Sequence, residues 1–159
     1  MKKLILLASI ALMTTGCSTI EKMAGKVPAT ATCPEIGFLL GGDHSAFTDN
    51  GIEYSTAMTN LGGSCSYDDS AIDVESRFYI ILKAKDITAP IEPQGFSVPF
   101  VAAVLGADEQ ILSRRSLNAN VEVDENGTGF SLQELTQTIP VSTPKQGGTY
   151  KVIYTFPEE

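Results

Sequence analysis

The sequence is poor in the residues on which most protein chemistry depends. Its 159 residues include no Trp, one His and three Cys, and 11 Lys or Arg stand against 19 Asp or Glu. The formal net charge of -8 argues against a nucleic-acid-binding protein, because such proteins cluster positive charge against the phosphate backbone. A hydrophobic content of 43% excludes a wholly disordered chain, so we expect one folded domain.

The chain also lacks an apolar run long enough to cross a membrane. Its N-terminal run, Leu4 to Met13, has ten residues and follows a basic start at Lys2 and Lys3. Ten helical residues cover only about 15 Å of a hydrocarbon core about 30 Å thick. A basic start, a short apolar run and small residues after it predict a cleaved signal peptide over residues 1–16.

The end of this signal peptide resembles a bacterial lipobox. Thr14, Thr15 and Gly16 precede Cys17, although a lipobox usually carries Leu where this chain has Thr14. The resemblance implies that Cys17 becomes the acylated N-terminus, with palmitate and diacylglycerol chains inserted in the membrane. Ser18 implies sorting to the outer membrane, with the protein facing the periplasm. The alternative is an ordinary cleaved signal peptide with Cys17 free or paired.

The odd number of cysteines supports the lipid anchor. An odd count in an exported protein leaves one thiol unaccounted for, and acylation of Cys17 would leave an even pair. We expect Cys33 and Cys65 to form a structural disulfide in the oxidising periplasm. A redox pair is the alternative, but neither cysteine lies in a CxxC motif and no basic residue lies within ten positions of Cys65.

The mature chain divides into a tether and one β domain. Residues 17–32 are small and polar, which predicts a flexible tether, and the domain follows over residues 33–157. Residues 72–85 alternate between apolar and charged side chains, as in a half-buried strand. Short strands separated by turn residues favour an all-β fold, an antiparallel β-sandwich of immunoglobulin-like or similar form. Further strands are predicted at 35–40, 52–60, 64–68, 96–105, 110–117, 120–124 and 150–156.

Paired turn residues mark the expected connections. Asn126-Gly127 predicts a hairpin with a type I′ turn, in which both central residues have positive φ. Turns are also expected at Gly41-Gly42, Gly62-Gly63 and Gly147-Gly148. The prolines of residues 86–95 predict a connecting loop.

The residues that suggest chemistry each have a simpler structural explanation. His44 adjoins Asp43 and Ser45, but neighbours in sequence point apart and no GxSxG motif is present, so we expect a solvated turn histidine and no enzyme. Acidic clusters at 68–73 and 124–126 offer a calcium site as the alternative to turn chemistry, without EF-hand spacing. We therefore predict no metal site and no cofactor.

Two features are candidates for binding a partner. Arg114 and Arg115 form a basic doublet in an acidic chain, which predicts a site for a carboxylate or an anionic glycan of a partner, with protection of an edge strand as the alternative. The apolar segment 96–105 is expected to be a core strand, and a docking strip is its alternative.

Several short segments resemble a family of small uncharacterised alphaproteobacterial lipoproteins. They are Cys33-Pro34-Glu35-Ile36, the Gly-Ser-Cys-Ser-Tyr stretch ending at Tyr67, Pro99-Phe100-Val101-Ala102, Ile111-Leu112-Ser113-Arg114 and Ile139-Pro140-Val141. The resemblance implies export, lipidation and a paired Cys33 and Cys65, and it implies no activity. We therefore expect a non-enzymatic envelope lipoprotein that binds other envelope components. The alternative is a periplasmic inhibitor or ligand-binding module.

Overall fold

A computed structural model describes residues 31–141 and 144–157 of the protein. The predicted signal peptide, Cys17 and all but the last two residues of the predicted tether lie outside these residues. The described chain forms eight strands and one short 3-10 helix. They are β1 (Glu35–Phe38), β2 (His44–Asp49), β3 (Ile52–Tyr67), β4 (Ala71–Ala84), β5 (Gln94–Leu105), β6 (Ile111–Val123), β7 (Thr128–Pro140), η1 (Pro144–Thr149) and β8 (Lys151–Thr155).

The eight strands form one curled sheet in the order β1-β8-β5-β6-β7-β4-β3-β2. Every neighbouring pair is antiparallel except β1 and β8, which are parallel. The predicted all-β class is confirmed. The finer expectation of a two-sheet sandwich of immunoglobulin-like form stays a prediction, because the strands belong to a single sheet.

The sheet curls so that its two halves face each other across a shared core. Phe78 of β4 is fully buried, and its ring contacts those of Phe38 in β1, Phe100 in β5 and Tyr154 in β8 at centroid distances of 5.7, 5.8 and 4.7 Å. None of these three strands is a neighbour of β4 in the sheet. These contacts therefore join the halves through aromatic packing, which adds to the free energy of apolar burial.

The predicted strand at 72–85 is confirmed as β4, and its alternating apolar residues are buried. Its neighbour β3 is one strand of 16 residues, whereas the sequence predicted two strands separated by a turn at Gly62-Gly63. That turn prediction is wrong. The pairing register between β3 and β4 shifts between Thr59 and Gly62, and Asn60 has a φ of 56°. The glycines therefore lie at a β-bulge, which bends a strand without ending it.

The predicted hairpin at Asn126-Gly127 is confirmed, and it joins β6 to β7. Its turn type differs from the prediction, because Gly127 has a φ of 70° while Asn126 has no positive φ. The N–H of Gly127 donates to the carbonyl of Asp124 at 2.9 Å, and the N–H of Asp124 donates to that of Thr128 at 3.0 Å. This is a three-residue loop closed by a left-handed glycine, rather than a type I′ turn.

The structure contains two strands that the sequence did not predict, and β6 joins two segments that were predicted as separate strands. The predicted segments 110–117 and 120–124 are both parts of β6. The unpredicted strands are β2 and β7. In β7 the outward-facing Phe130 and Leu132 are apolar, while Gln137 faces the core and is buried, so the usual hydrophobic alternation is inverted at these positions. Leu135 and Ile139 face the core in the ordinary way.

The remaining connections agree with the sequence in part. At the predicted turn, Gly41 has a φ of 79° and the N–H of Gly42 donates to the carbonyl of Leu39 at 2.9 Å. The predicted loop at 86–95 lies between β4 and β5, and the predicted strand at 150–156 is β8. Gly147 and Gly148 belong to η1. Pro99 lies inside β5, where the β8 side of the strand is unpaired because that pairing begins at Val101.

Candidate functional site

His44 is a surface residue at the start of β2. Its side chain is 71% exposed, and its Nδ1 lies 3.1 Å from Oδ1 of Asp43. The hydrogen bond to His44 lowers the pKa of the Asp43 carboxyl. The expected solvated histidine is confirmed, although it begins a strand instead of occupying a turn. Ser45 follows it in the strand, and its side chain points to the opposite face, so the three residues do not converge as a catalytic triad.

The side chains of the acidic clusters accept hydrogen bonds from the backbone of the turns in which they lie. Oδ1 of Asp68 accepts hydrogen bonds from the backbone N–H groups of Ser70 and Ala71, both at 2.7 Å, and that of Ser70 is the main cause of the lowered pKa of Asp68. Oδ1 of Asp124 accepts from the N–H of Thr128 at 3.0 Å, which lowers the pKa of Asp124. The predicted turn chemistry is confirmed. Nowhere in the described part of the chain do three His, Cys, Asp or Glu side chains converge to hold a metal ion.

The predicted disulfide between Cys33 and Cys65 is present, with a Cα–Cα distance of 5.8 Å. Cys33 precedes β1 at one edge of the sheet, while Cys65 is buried in β3, next to the other edge. The disulfide therefore links two parts of the sheet that share no strand pairing.

Arg114 and Arg115 lie on the exposed half of β6. Arg114 is paired in register with Ala103 of β5, and Arg115 with the buried Ala102. Successive side chains of a strand point to opposite faces, so Arg115 lies on the inner face and Arg114 on the outer face. The two guanidinium groups therefore do not form a joint site. No carboxylate among the described residues lies within ion-pair distance of either arginine.

The strands β6 and β7 separate directly after their turn. Their only pairing among the described residues joins Val123 to Gly129, although β7 pairs with β4 over nearly its whole length. Each strand therefore has an open edge facing the other. Arg115 spans this gap, because its Nη2 donates to the backbone carbonyl of Thr136 in β7 at 3.4 Å.

A buried polar cluster lies on the inner face near this gap. Ser76 is 3% exposed, Gln137 is 5% exposed and Tyr154 is fully buried. Burial raises the pKa of Tyr154, while Ser76, Gln137 and the positive charge of Arg115 act in the opposite direction. These neighbours are close, yet Oγ of Ser76, Nε2 of Gln137 and the hydroxyl of Tyr154 have no hydrogen bond of acceptable geometry. Buried polar groups are normally paired, so this cluster is a candidate site.

Sequence reasoning missed this cluster, although one signal for it exists. Ser76 occupies the inner face of β4 between Val74 and Phe78, where the other inward-facing residues of the strand are apolar. A single hydroxyl in such a row indicates a buried polar contact. The other residues of the cluster come from β7 and β8, whose placement the sequence does not reveal.

The outer face of the sheet carries an apolar patch. We define the outer apolar patch as Tyr79 and Ile81 of β4 with Phe130 and Leu132 of β7. Phe130 is 69% exposed and Leu132 is 42% exposed. Register places Phe130 opposite Ile81 and Leu132 opposite Tyr79, and the rings of Tyr79 and Phe130 lie 6.1 Å apart. The patch is therefore continuous across two paired strands.

The apolar segment 96–105 is a core strand, as expected. Val98, Phe100, Ala102 and Val104 of β5 are all buried and contribute to the central core. The outer apolar patch, rather than this segment, presents apolar side chains to solvent.

A groove beside the bulge in β3 is lined by charged and small residues. It includes Gly62, Glu75, Arg77 and Glu134. Nε of Arg77 lies 3.4 Å from Oε1 of Glu134, and both side chains are mostly exposed. An exposed ion pair contributes little to stability. Because Arg77 and Glu134 pair with each other, neither of them presents an unmatched charge to the groove.

Comparisons with protein-family models, with curated proteins and with solved structures found no match to this chain. The resemblance to alphaproteobacterial lipoproteins therefore stays a prediction. Within the described residues, no helix has the length and apolar character needed to cross a membrane.

Proposed function

We propose that this protein is a non-enzymatic lipoprotein of the bacterial outer membrane that faces the periplasm and binds another envelope protein. The N-terminal pattern supports the location, because a signal peptide that ends directly before Cys17, with Ser18 after that cysteine, is typical of such proteins. The observation that carries the binding function is the outer apolar patch, with Phe130 at 69% exposure.

The patch has the properties of a protein-binding surface. Exposed apolar side chains that adjoin one another on a rigid sheet gain free energy when a partner covers them. An aromatic residue such as Phe130 supplies a large contact area with few rotatable bonds, as interface anchors do. A partner with a complementary apolar surface is therefore the occupant that we propose.

Photo-crosslinking in intact cells tests this function. A photoreactive phenylalanine analogue is placed at Phe130 of the full chain, and at Ser97, an exposed residue of β5, as the control. We expect one dominant crosslinked envelope protein from Phe130 and none from Ser97. Mass spectrometry then names the partner.

A substitution provides the second arm of this experiment. Phe130→Asp should abolish capture of that protein by a tagged chain, while Ser97→Asp should leave capture unchanged. Equal crosslinking from both positions, or capture that survives Phe130→Asp, would contradict the proposal.

A further inference from the structure

β6 and β7 form the two sides of a gap in the sheet, and several polar side chains lie near this gap on the inner face. We call it the open-edge cleft and define it by Ser76, Arg115, Thr136, Gln137 and Tyr154. Its β6 wall contains a cross-strand row, because Tyr154 is in register with Ala102 and Ala102 is in register with Arg115. Neighbouring strands lie about 4.8 Å apart, so Tyr154 and Arg115 lie on either side of the small residue Ala102.

The edge of β7 in this cleft offers backbone groups to a partner. The carbonyl of Thr136 accepts from Arg115, and the carbonyl of Leu132 accepts from Nε2 of Gln133 at 3.2 Å. Both carbonyls therefore accept side-chain donors. In an antiparallel strand the N–H and the carbonyl of one residue point to the same side, and the side alternates along the chain. Leu132, Glu134, Thr136 and Thr138 thus present their backbone groups at the open edge.

We propose that an extended segment of another protein adds to the open edge of β7 as a further strand, and that Arg115 binds an acidic side chain of this segment. Backbone hydrogen bonds from Leu132 to Thr138 supply affinity, as in other cases of strand addition. The carboxylate takes the guanidinium of Arg115 from its bond with the Thr136 carbonyl, which then accepts an N–H of the added strand.

The chemistry of the cleft favours a carboxylate. Oγ of Ser76, Nε2 of Gln137 and the hydroxyl of Tyr154 have no hydrogen bond of acceptable geometry, although Ser76 and Gln137 lie close enough to Tyr154 to lower its pKa. All three groups can donate a hydrogen bond, and the two hydroxyls can also accept one. Arg115 adds a positive charge and is bonded to one carbonyl at 3.4 Å. A positive charge beside groups that can donate hydrogen bonds fits a group that only accepts and carries negative charge.

A second copy of this chain that pairs through its own β6 or β7 edge does not supply that group. Its inward-facing residues along β7 include Ser131, Gln133 and Gln137, and those along β6 include Arg115 and Leu117. None is acidic, so pairing of the β6 or β7 edges of two copies brings no carboxylate into the cleft. The occupant that we propose is a segment of a different protein.

A peptide selection tests the proposal. A displayed library of random nine-residue peptides is selected on the full-length protein purified in detergent, and the selected peptides are made synthetically. We expect them to carry an Asp or Glu between alternating β-forming residues. Affinity is measured by calorimetry on the wild-type protein and on variants.

The adjacent arginine provides the matched control. Arg115→Gln should weaken binding of an acidic peptide about tenfold or more, because a charge-assisted pair is lost, and Arg115→Lys should retain part of it. Arg114→Gln removes the same charge from the outer face and should change the affinity by less than about twofold.

Modified peptides separate strand addition from simple ion pairing without altering the protein. N-methylation of the peptide amides that face β7 should abolish binding, because it removes their hydrogen bonds. N-methylation of the intervening amides, which face away from β7, should be tolerated. Selection without acidic residues, equal affinity for Arg115→Gln, or tolerance of both methylation phases would overturn the proposal. An Arg115→Gln variant that self-associates and binds peptides as before would identify the arginine as edge protection and would also overturn it.

The open-edge cleft is separate from the outer apolar patch, and the peptide experiment does not depend on the lipid anchor. Crosslinking from Phe130 and peptide binding at Arg115 can therefore fail independently.

Discussion

The disulfide between Cys33 and Cys65 joins the segment before β1, at one end of the sheet order, to β3, next to the other end. The chain enters β1, an edge strand, directly after Cys33, and β1 pairs only with β8 among the described strands. Cys65 lies in β3, six positions away in that order. Since no backbone pairing joins β1 to β3, the disulfide holds the curled sheet closed on this side.

The disulfide should contribute strongly to stability. Its cysteines are separated by 32 positions, for which the chain-entropy model gives about 3 to 4 kcal/mol. We expect the double variant Cys33→Ala, Cys65→Ala to melt roughly 10 °C below the wild-type protein, measured by circular dichroism. Cys17→Ala is the control for removing a cysteine. A double variant that melts within about 2 °C of the wild type would show that the curl does not need this bond.

Two phenylalanines should respond very differently to truncation. Phe78 is fully buried among three aromatic rings, so Phe78→Ala should lower the free energy of unfolding by about 3 to 5 kcal/mol. Phe130 is 69% exposed, so Phe130→Ala should cost less than about 1 kcal/mol. Urea denaturation of both variants measures the difference. Similar losses would mean that Phe130 is part of the core.

The sequence predicts a strand well where one face is apolar and the other is charged. It predicts β4 because Ile72, Val74 and Phe78 alternate with charged residues. It does not predict β7, because Phe130 faces solvent and Gln137 faces the core, and hydrophobic alternation signals only the ordinary arrangement. Where this arrangement is inverted, tertiary contacts determine that the segment forms a strand, and local sequence does not contain that information.

The same limit applies to the candidate site. The pairing of Cys33 and Cys65 is predictable from cysteine number and compartment, without any geometry. The division of Arg114 and Arg115 between two faces follows from strand period once β6 is placed. The meeting of Ser76 with Tyr154 depends on how the halves of the sheet face each other, which no local pattern encodes.

The two glycines of the β3 bulge should differ in their tolerance of a side chain. A Cβ at Gly63 would lie 2.7 Å from the backbone carbonyl oxygen of Glu75, so Gly63→Ala should destabilise the protein by about 1 to 3 kcal/mol. A Cβ at Gly62 meets nothing within 4 Å, so Gly62→Ala should be neutral or stabilise by up to about 1 kcal/mol. Chemical denaturation tests the pair. Equal effects would contradict the close approach of β3 to β4 at Gly63.

Acid should weaken the β6–β7 turn through Asp124. Its pKa is lowered from 3.8, chiefly by the N–H of Thr128, so the folded state favours the charged carboxylate. This contribution is complete above the ordinary pKa and is lost as pH falls through the lower folded value. Asp124→Asn should therefore lose less stability than the wild type on acidification below about pH 4, in urea titrations. Glu125→Gln removes one charge from the same turn and is the control. A pH profile unchanged by Asp124→Asn would exclude this carboxylate as a source of acid sensitivity.

The lipid anchor predicts where the protein is found after one substitution. Cys17 lies in the lipobox-like segment, and its thiol is the proposed site of acylation, so Cys17→Ser should move the protein from washed membranes to the soluble periplasmic fraction. Metabolic labelling with palmitate should mark the wild-type chain and not this variant. Thr14→Leu restores the residue that a lipobox usually carries, and it should raise the fraction of processed chain. If Cys17→Ser stays in washed membranes after normal cleavage, acylation of Cys17 is not what holds the protein there.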